Sequence, residues 1–284
     1  MKIQKVGVVG AGIMGSGIAQ VFAMNGFDVV LHDISEERVQ KGKSAIEKSL
    51  GKFVEKGKIT AEVSQAIVGR ISTTVSLESF ADCDLVVEAA SEDIKLKKEL
   101  FQQLDRIVSK TAILASNTSS IPIGTLAAAT SRPAQVIGMH FMNPPPLMRG
   151  VEVIRSDATS DATDRAVVEL VKQLGKSPVR SRDRTGFVAN RILIPMIREA
   201  ILALEEGVAE RDDIDRCMVD CCNFPMGPLA LADLIGLDTC QSIMKVMADG
   251  LKNERYRPPQ LLNTMVKDGK LGRKTREGFY DYRS

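Results

Sequence analysis

Residues 5–33 read KVGVVGAGIMGSGIAQVFAMNGFDVVLHD, and the fold turns on how this stretch is punctuated. A short apolar run, Ile3 to Val9, reads as a buried strand, and Gly10, Gly12 and Gly15 follow it in G-x-G-x-x-G spacing. Ile18, Ala19, Phe22 and Ala23 then recur with helical period, Gly26 supplies a left-handed helix stop, and Val29-Val30-Leu31 reads as a second buried strand. The glycine pattern alone is weak, but between a strand and a helix it marks a dinucleotide-binding unit. Gly10 permits the tight turn, Gly12 lets the backbone approach a pyrophosphate, and Gly15 allows close helix packing. The helix amino end meets the pyrophosphate charge, so Gly10, Ala11, Gly12, Ile13, Met14 and Gly15 are expected to hold the cofactor. A glycine-rich turn with no ligand is the plainer alternative.

Asp33 ends the second strand 18 residues beyond Gly15, about where an acid binds a ribose 2′-hydroxyl. A carboxylate there repels a 2′-phosphate, so NAD(H) is expected rather than NADP. His32 beside it reads as a strand residue pointing the other way.

Further strands read at 70–73, 84–89, 112–116 and 136–139, with the helix EDIKLKKELFQQLDRIV between the fourth and fifth. The alternation predicts an α/β fold: an N-terminal Rossmann-type, doubly wound, mostly parallel sheet. Ligands of such sheets gather at the carboxyl ends of the strands. Glu92, Asn117-Thr118-Ser119-Ser120 and His140 stand at three such ends and predict one cleft, with Ser120 read as a helix cap.

From Gly186 onward the pattern is helical, in VANRILIPMIREAILALEEG, RDDIDRCMVDCC, PLALADLIGLDTCQSIMKVMADG and PPQLLNTMVKDG, before a short tail GFYDY. Two domains are expected: residues 1–185 bind NAD, and 186–284 form an all-α domain for substrate binding and dimerisation, joined at SRDRTGF. Apolar residues on more than one side of Ile192 to Leu204 predict a homodimer or higher homo-oligomer. The Met-rich stretches (Met218, Met226, Met244, Met247) read as core filling.

Composition narrows the partners. A net charge of +2 and 4% aromatic residues leave neither the basic footprint nor the stacking surface of a nucleic-acid binder. Five cysteines without paired CxxC spacing and only two histidines argue against a metal site. The cysteines read as buried, reduced thiols of a cytoplasmic protein. The start MKIQKVGVVGAG lacks the features of a signal peptide, and no run reaches membrane-spanning length.

Chemistry points to residues 138–154, GMHFMNPPPLMRGVEVI. A nicotinamide enzyme oxidising an alcohol must remove the hydroxyl proton, and imidazole, with an ordinary pKa of about 6.5, suits that task. His32 belongs to the adenosine side, so by elimination His140 is the expected base. Glu152, a carboxylate between two valines, then makes sense as the group that fixes the ring's tautomer and stabilises its charged form. NPPP would turn the chain so that VEVI returns beside His140. The bland alternatives are a satisfied core histidine and an edge-strand charge.

At these residues a family emerges. The chain resembles the L-3-hydroxyacyl-CoA dehydrogenases, most closely their bacterial 3-hydroxybutyryl-CoA members, over nearly its whole length. The resemblance rests on GAGIMGSGIAQ, VVEAASEDIKLKKELF, ASNTSS, GMHFMNPPPLM, VEVI, GFVANRILIPMIREAI, FPMGPLALADLIGLD and GRKTREGFYDY. It implies NAD-dependent interconversion of short-chain (S)-3-hydroxyacyl-CoA and 3-oxoacyl-CoA, with His140 as base and Glu152 as its partner. It further implies that Ser119 and Asn190 bond the substrate's C3 oxygen and that Asn117 and Asn143 contact cofactor or substrate. Glu92, Lys97 and Lys274 match cofactor-contacting positions. A free 3-hydroxy-acid dehydrogenase and a non-catalytic, crystallin-like NAD-binding relative are the competing readings.

The chain departs from the family pattern at Met142, Pro145, Arg149 and Gly150, which bear on chain-length preference. Arg276 stands where the family has glycine in GRKTGxGFYDY, and Phe224, where histidine is frequent, reads as a packing change. Finally, Lys41, Lys48, Lys52 and Lys56 fall within roughly an 80° arc of one helix. Such a stripe is usually a solvated face, yet it suits the phosphates of CoA, and the resemblance points to Lys52 and Lys56.

Overall fold

A computed structural model describes residues 3–283. The chain divides into two compact units, Met1–Arg184 and Thr185–Ser284, the division falling inside SRDRTGF.

Unit 1 is one eight-stranded sheet. Its strands are β1 (Lys5–Val9), β2 (Asp28–His32), β3 (Ile71–Thr74), β4 (Leu85–Glu88), β5 (Ile113–Ser116), β6 (Val136–Phe141), β7 (Gly150–Arg155) and β8 (Ser177–Arg182). They lie in the order β3-β2-β1-β4-β5-β6-β7-β8. The chain winds outward from β1 on both sides, all pairs from β3 to β6 being parallel, and only β6 and β7 run antiparallel. Helices α1 (Ile13–Met24), α2 (Glu36–Glu55), α3 (Ala61–Gly69), α4 (Ile94–Ile107), α5 (Ile123–Ala127) and α6 (Asp161–Gln173) connect the strands. The central strands are apolar throughout, as strands covered on both faces must be; Val6, Val8, Leu85, Val87, Leu114 and Ala115 are completely buried.

Three elements, α3, α6 and β8, were not foreseen. Ser177–Arg182 holds one proline, one valine and two arginines, and its residues are partly or wholly exposed. It pairs only with β7. An edge strand lacks a second neighbour and so keeps the polar pattern and the proline that a central strand would not tolerate.

Unit 2 is helical: α7 (Ala189–Glu205), α8 (Arg211–Arg216), α9 (Pro228–Ile235), α10 (Leu237–Leu251) and α11 (Gln260–Lys267). Its core gathers Ile194, Ile197, Ile201, Leu229, Met244, Met247 and Leu262. Met244 and Met247 fill core space, whereas Met218 and Met226 are only partly buried. The tail GFYDY forms isolated bridges, Gly272 to Glu277 and Glu277 to Asp281. Buried Asp233 holds that tail, accepting from the Phe279 and Tyr280 amides at 2.9 Å and from the Tyr282 hydroxyl at 3.2 Å.

The cysteines need correction. Cys83 and Cys240 are buried, and burial pushes both thiols up to about 12, but Cys217, Cys221 and Cys222 are exposed. Phe224 is likewise 38% exposed, so it does not fill a core position.

Candidate active site

The fingerprint loop is shaped by backbone contact. Gly10 has φ +98°, and a methyl group there would lie 2.6 Å from the Ala89 carbonyl oxygen. A methyl on Gly15 would overlap the Gly10 carbonyl, so helix α1 packs against its own lead-in. Gly12 is different: nothing lies within 4 Å of where its Cβ would be. The fold does not need glycine at 12; open space does. That space, next to a helix start with no side-chain cap and no acidic residue in its first turn, fits the close approach of a pyrophosphate. Ala11 belongs to the same turn, and Ile13, 79% exposed, and Met14 follow at the start of α1. Asp33 closes the loop by accepting from the Ala11 amide (2.8 Å) and the Ile34 amide (2.8 Å). Its carboxylate is therefore already oriented beside the glycine turn. His32 points into the interior against Phe80; burial lowers its pKa, and its Nδ1 has no partner among the described residues.

The ends of β4 and β5 carry the second cluster. Glu88 and Ser116 are the last residues of adjacent strands and face each other in register, and the Ser116 hydroxyl donates to Glu88 Oε2 at 2.7 Å. Lys97, on α4, is 1% exposed and sets its ammonium on Glu88 Oε1 at 2.5 Å, on the Ala90 carbonyl at 3.2 Å and on Glu92 Oε2 at 3.3 Å. Lys97 is thus packed beneath Glu92, the more exposed member of the cluster. Glu92 Oε1 in turn accepts from the Thr118 hydroxyl (2.5 Å), the Ser120 hydroxyl (2.8 Å) and the Ser119 amide (3.1 Å). Ser120 is consequently no helix cap: α5 begins after Pro122 with no side-chain cap. Asn117 leads this turn, and its Oδ1 accepts from the Phe141 amide at 2.8 Å.

The third cluster follows from antiparallel pairing. His140 and Glu152 are directly opposite each other on β6 and β7, which puts both side chains on one face of the sheet. His140 Nδ1 lies 2.7 Å from Glu152 Oε2, and their residues are 8% and 3% exposed. The connecting NPPP segment carries a cis Asn143–Pro144 bond and leaves Asn143 exposed. Pro145 is buried against α1, where a methyl on Gly17 would come within 2.7 Å of it. Lys176, unnoticed in the sequence, pins this segment by donating to the Pro145 and Met148 carbonyls at 2.7 and 2.6 Å.

A groove of about 730 Å³ runs along α1 and α2, lined among others by Gly12, Asp33, Arg38, Lys41, Ser49 and Pro145. Of the lysine stripe only Lys41 lines it; Lys52 lies in the last turn of α2, Lys56 just past it, and both are exposed. In unit 2, Asn190 is the second residue of α7, and Lys274 pairs with Asp238. Among the described residues no group of three or more potential metal ligands occurs. No described helix is long and apolar enough to cross a membrane.

Sequence reasoning missed Glu88, Ser116 and Lys176. For Glu88 a signal existed: like Glu152, it is a carboxylate in an otherwise apolar strand, here at the end of LVVE.

Two family models match the chain: the NAD-binding domain of 3-hydroxyacyl-CoA dehydrogenase over residues 5–184, and the C-terminal domain over 186–282. A probable 3-hydroxybutyryl-CoA dehydrogenase from Deinococcus radiodurans is 58% identical, covering 98% of this chain and 100% of that protein. The 3-hydroxybutyryl-CoA dehydrogenase of Bradyrhizobium diazoefficiens is 52% identical over 99% of this chain and 96% of its own length. Among solved structures, the (S)-3-hydroxybutyryl-CoA dehydrogenase of Ralstonia eutropha superposes with a TM-score of 0.96 at 48% identity, covering both chains fully.

Proposed function

The chain belongs to the 3-hydroxyacyl-CoA dehydrogenase family, and from that premise we propose that the His140–Glu152 pair carries its proton chemistry. The reaction is the NAD(H)-dependent interconversion of (S)-3-hydroxybutyryl-CoA and acetoacetyl-CoA.

One observation carries the assignment of roles: Nδ1 of a buried histidine, 2.7 Å from a buried carboxylate. Glu152 engages Nδ1, which makes Nε2 the working nitrogen. In the oxidising direction Nε2 takes the substrate hydroxyl proton while Glu152 stabilises the charged ring. In the reducing direction the same nitrogen returns the proton to the 3-oxo oxygen. Bound NAD supplies the hydride acceptor, and NADH the donor. Gly12 and the start of α1 take the pyrophosphate, and Asp33 takes the adenosine ribose, which disfavours NADP. From the family resemblance, Ser119 and Asn190 are donors to the C3 oxygen and Asn117 and Asn143 line the reacting groups. Lys52 and Lys56 are assigned to the CoA phosphates, which charge supports and the helix dipole alone would also explain. Ile192, 67% exposed on α7, supports a homodimer built through unit 2, and reduced cysteines support a cytoplasmic setting.

NADH oxidation with acetoacetyl-CoA, and separately with free acetoacetate, tests this reading. Turnover confined to the free acid would select a hydroxy-acid dehydrogenase; nucleotide binding without turnover would select a non-catalytic relative.

A further inference from the structure

The structure assigns to Lys97, with Glu88 as its counter-ion, a positioning role: the buried pair holds Glu92 as the charged anchor of the turn that presents Asn117 and Ser119. The assignment rests on the dehydrogenase reading above, because that reading makes the turn part of the site.

Lys97 donates to Glu88 Oε1 and the Ala90 carbonyl and makes an ion pair with Glu92 Oε2 at 3.3 Å. Glu88, 0% exposed, is satisfied on its other sides by the Ala90 amide and the Ser116 hydroxyl, both at 2.7 Å. Glu92 then spends one oxygen on Lys97 and the other on Thr118, Ser119 and Ser120. One carboxylate therefore ties an interior lysine to three consecutive residues of the turn. The turn continues through Asn117 to the amide of Phe141, the residue after His140.

Stability alone is a poor reason for such a pair. Desolvating two charges is costly, and apolar residues of similar size are often as stable or more so. What apolar residues cannot do is hold a carboxylate charged. The Glu92 side chain is 39% exposed, at the rim of the cluster. Burial pushes its carboxyl up, but the Lys97 charge and the bonds from Thr118 and Ser120 outweigh burial and hold it below the ordinary carboxylate range. The groups facing it are Lys97 from α4, and Thr118, Ser119 and Ser120 from the turn, with Glu88 behind Lys97. A protonated Glu92 would lose its ion pair with Lys97 and turn three charge-assisted bonds at Oε1 into weaker neutral ones.

The sign follows directly. With a folded pKa below the unfolded value, the anchor is fully present above about pH 4.3 and is lost only as pH falls further, through the folded pKa. Without Lys97, burial and any remaining Glu88 charge push Glu92 upward, and the anchor is lost at a higher pH.

The experiment compares the full-length enzyme with Glu88→Gln/Lys97→Met, which removes both charges at nearly constant size, and with Lys97→Arg and Glu92→Gln. Acetoacetyl-CoA reduction and NADH binding are measured from pH 5.5 to 8. We expect the ratio of double-variant to parent kcat to fall about tenfold towards pH 5.5, roughly one charge-assisted hydrogen bond. Lys97→Arg should restore most of that acid limb, and Glu92→Gln should lower kcat by a similar factor at every pH. A double variant that folds and loses the same factor at every pH, or none, overturns the proposal. If it does not fold, Glu92→Gln decides, and parent-like kcat in that variant overturns it. A parent that binds NADH without reducing acetoacetyl-CoA sinks the dehydrogenase reading instead, and the acid limb is then sought in NADH affinity, where its absence overturns the anchor.

Discussion

Two carboxylates sit in apolar strands of unit 1, Glu88 at the end of β4 and Glu152 inside β7, and each is buried against a basic partner. Glu152 meets His140 across the antiparallel pair β6–β7; Glu88 meets Lys97 across a strand-to-helix connection. The first pair meets the site through an imidazole, whose second ring nitrogen can carry a proton to or from a ligand. The second meets it through fixed contacts, Glu92 on one side and Ser116, whose oxygen accepts from the Thr118 amide at 3.1 Å, on the other. The same burial cost thus serves two ends, a proton relay in one case and a fixed charge in the other. Their difference predicts what each removal should do.

The largest effect belongs to the relay. His140→Gln removes the proton carrier but keeps a hydrogen-bonding side chain beside Glu152. It should lower kcat by about 10²–10⁴-fold, the usual worth of a general base or acid. NADH affinity should stay nearly unchanged, because the glycine turn and Asp33 are built without reference to β7. A matching loss of NADH binding, measured by fluorescence titration, would mean that His140 holds the fold and does not move protons.

Stability distinguishes buried from exposed partners. Glu152→Ala strands His140 at a site where both residues are under a tenth exposed, and removing one member of a buried pair costs about 3–5 kcal/mol. Asp82→Ala breaks the Lys5–Asp82 pair, whose side chains are 35% and 70% exposed, and should cost no more than about 1 kcal/mol. Urea unfolding of both variants checks the contrast. Equal losses would mean that burial is not what sets the cost.

The relay was legible in the sequence and the anchor was not, for a physical reason. Histidine occurs twice in the chain, so one placed in an apolar run stands out, and a carboxylate twelve residues on, past three prolines, implies a returning strand. Lys97 sits in KLKKELF, where Lys95, Lys98 and Glu99 are exposed and only tertiary packing singles out one lysine. Glu88 carried the same signal as Glu152 but lay in a stretch already explained as a strand. The sheet was readable chiefly at its inner strands, which are buried on both faces and therefore largely apolar. At β8 and α6 the signal failed, because an edge strand and an amphipathic surface helix follow polar patterns. Lys97 and Asn143 were reached by resemblance alone, whereas Ser119 already stood at a strand end and owed only its bond to the C3 oxygen to resemblance.

The lysine stripe extends the contrast to charges that water still solvates. Lys52→Ala with Lys56→Ala removes two exposed cations from the end of α2. If they meet CoA phosphates, KM for acetoacetyl-CoA should rise several-fold at low salt while kcat holds, with a smaller rise at high salt. A KM unmoved across salt concentrations would leave the stripe as a solvated face with a favourable helix-dipole term.

The smallest effect concerns a departure that touches no partner in either pair. Arg276 occupies the place of a family glycine and keeps the conformation a glycine would take, φ +59° and ψ +14°. Its amide bonds the Arg273 carbonyl and its carbonyl accepts from the Tyr282 amide at 2.9 Å, so the turn is held from both ends. A side chain in the left-handed region costs about 1 kcal/mol, because Cβ crowds the following carbonyl. Arg276→Gly should relieve that strain, while the freer unfolded chain takes back a good part of the gain. The net expected change is a rise in melting temperature of about 1–3 °C with kcat and both KM values unaltered. Lys274 would keep its pairing with Asp238, since neither partner depends on the side chain at 276. A fall in stability would instead mean that the exposed guanidinium makes a favourable contact larger than the strain, and that the arginine is there for its charge.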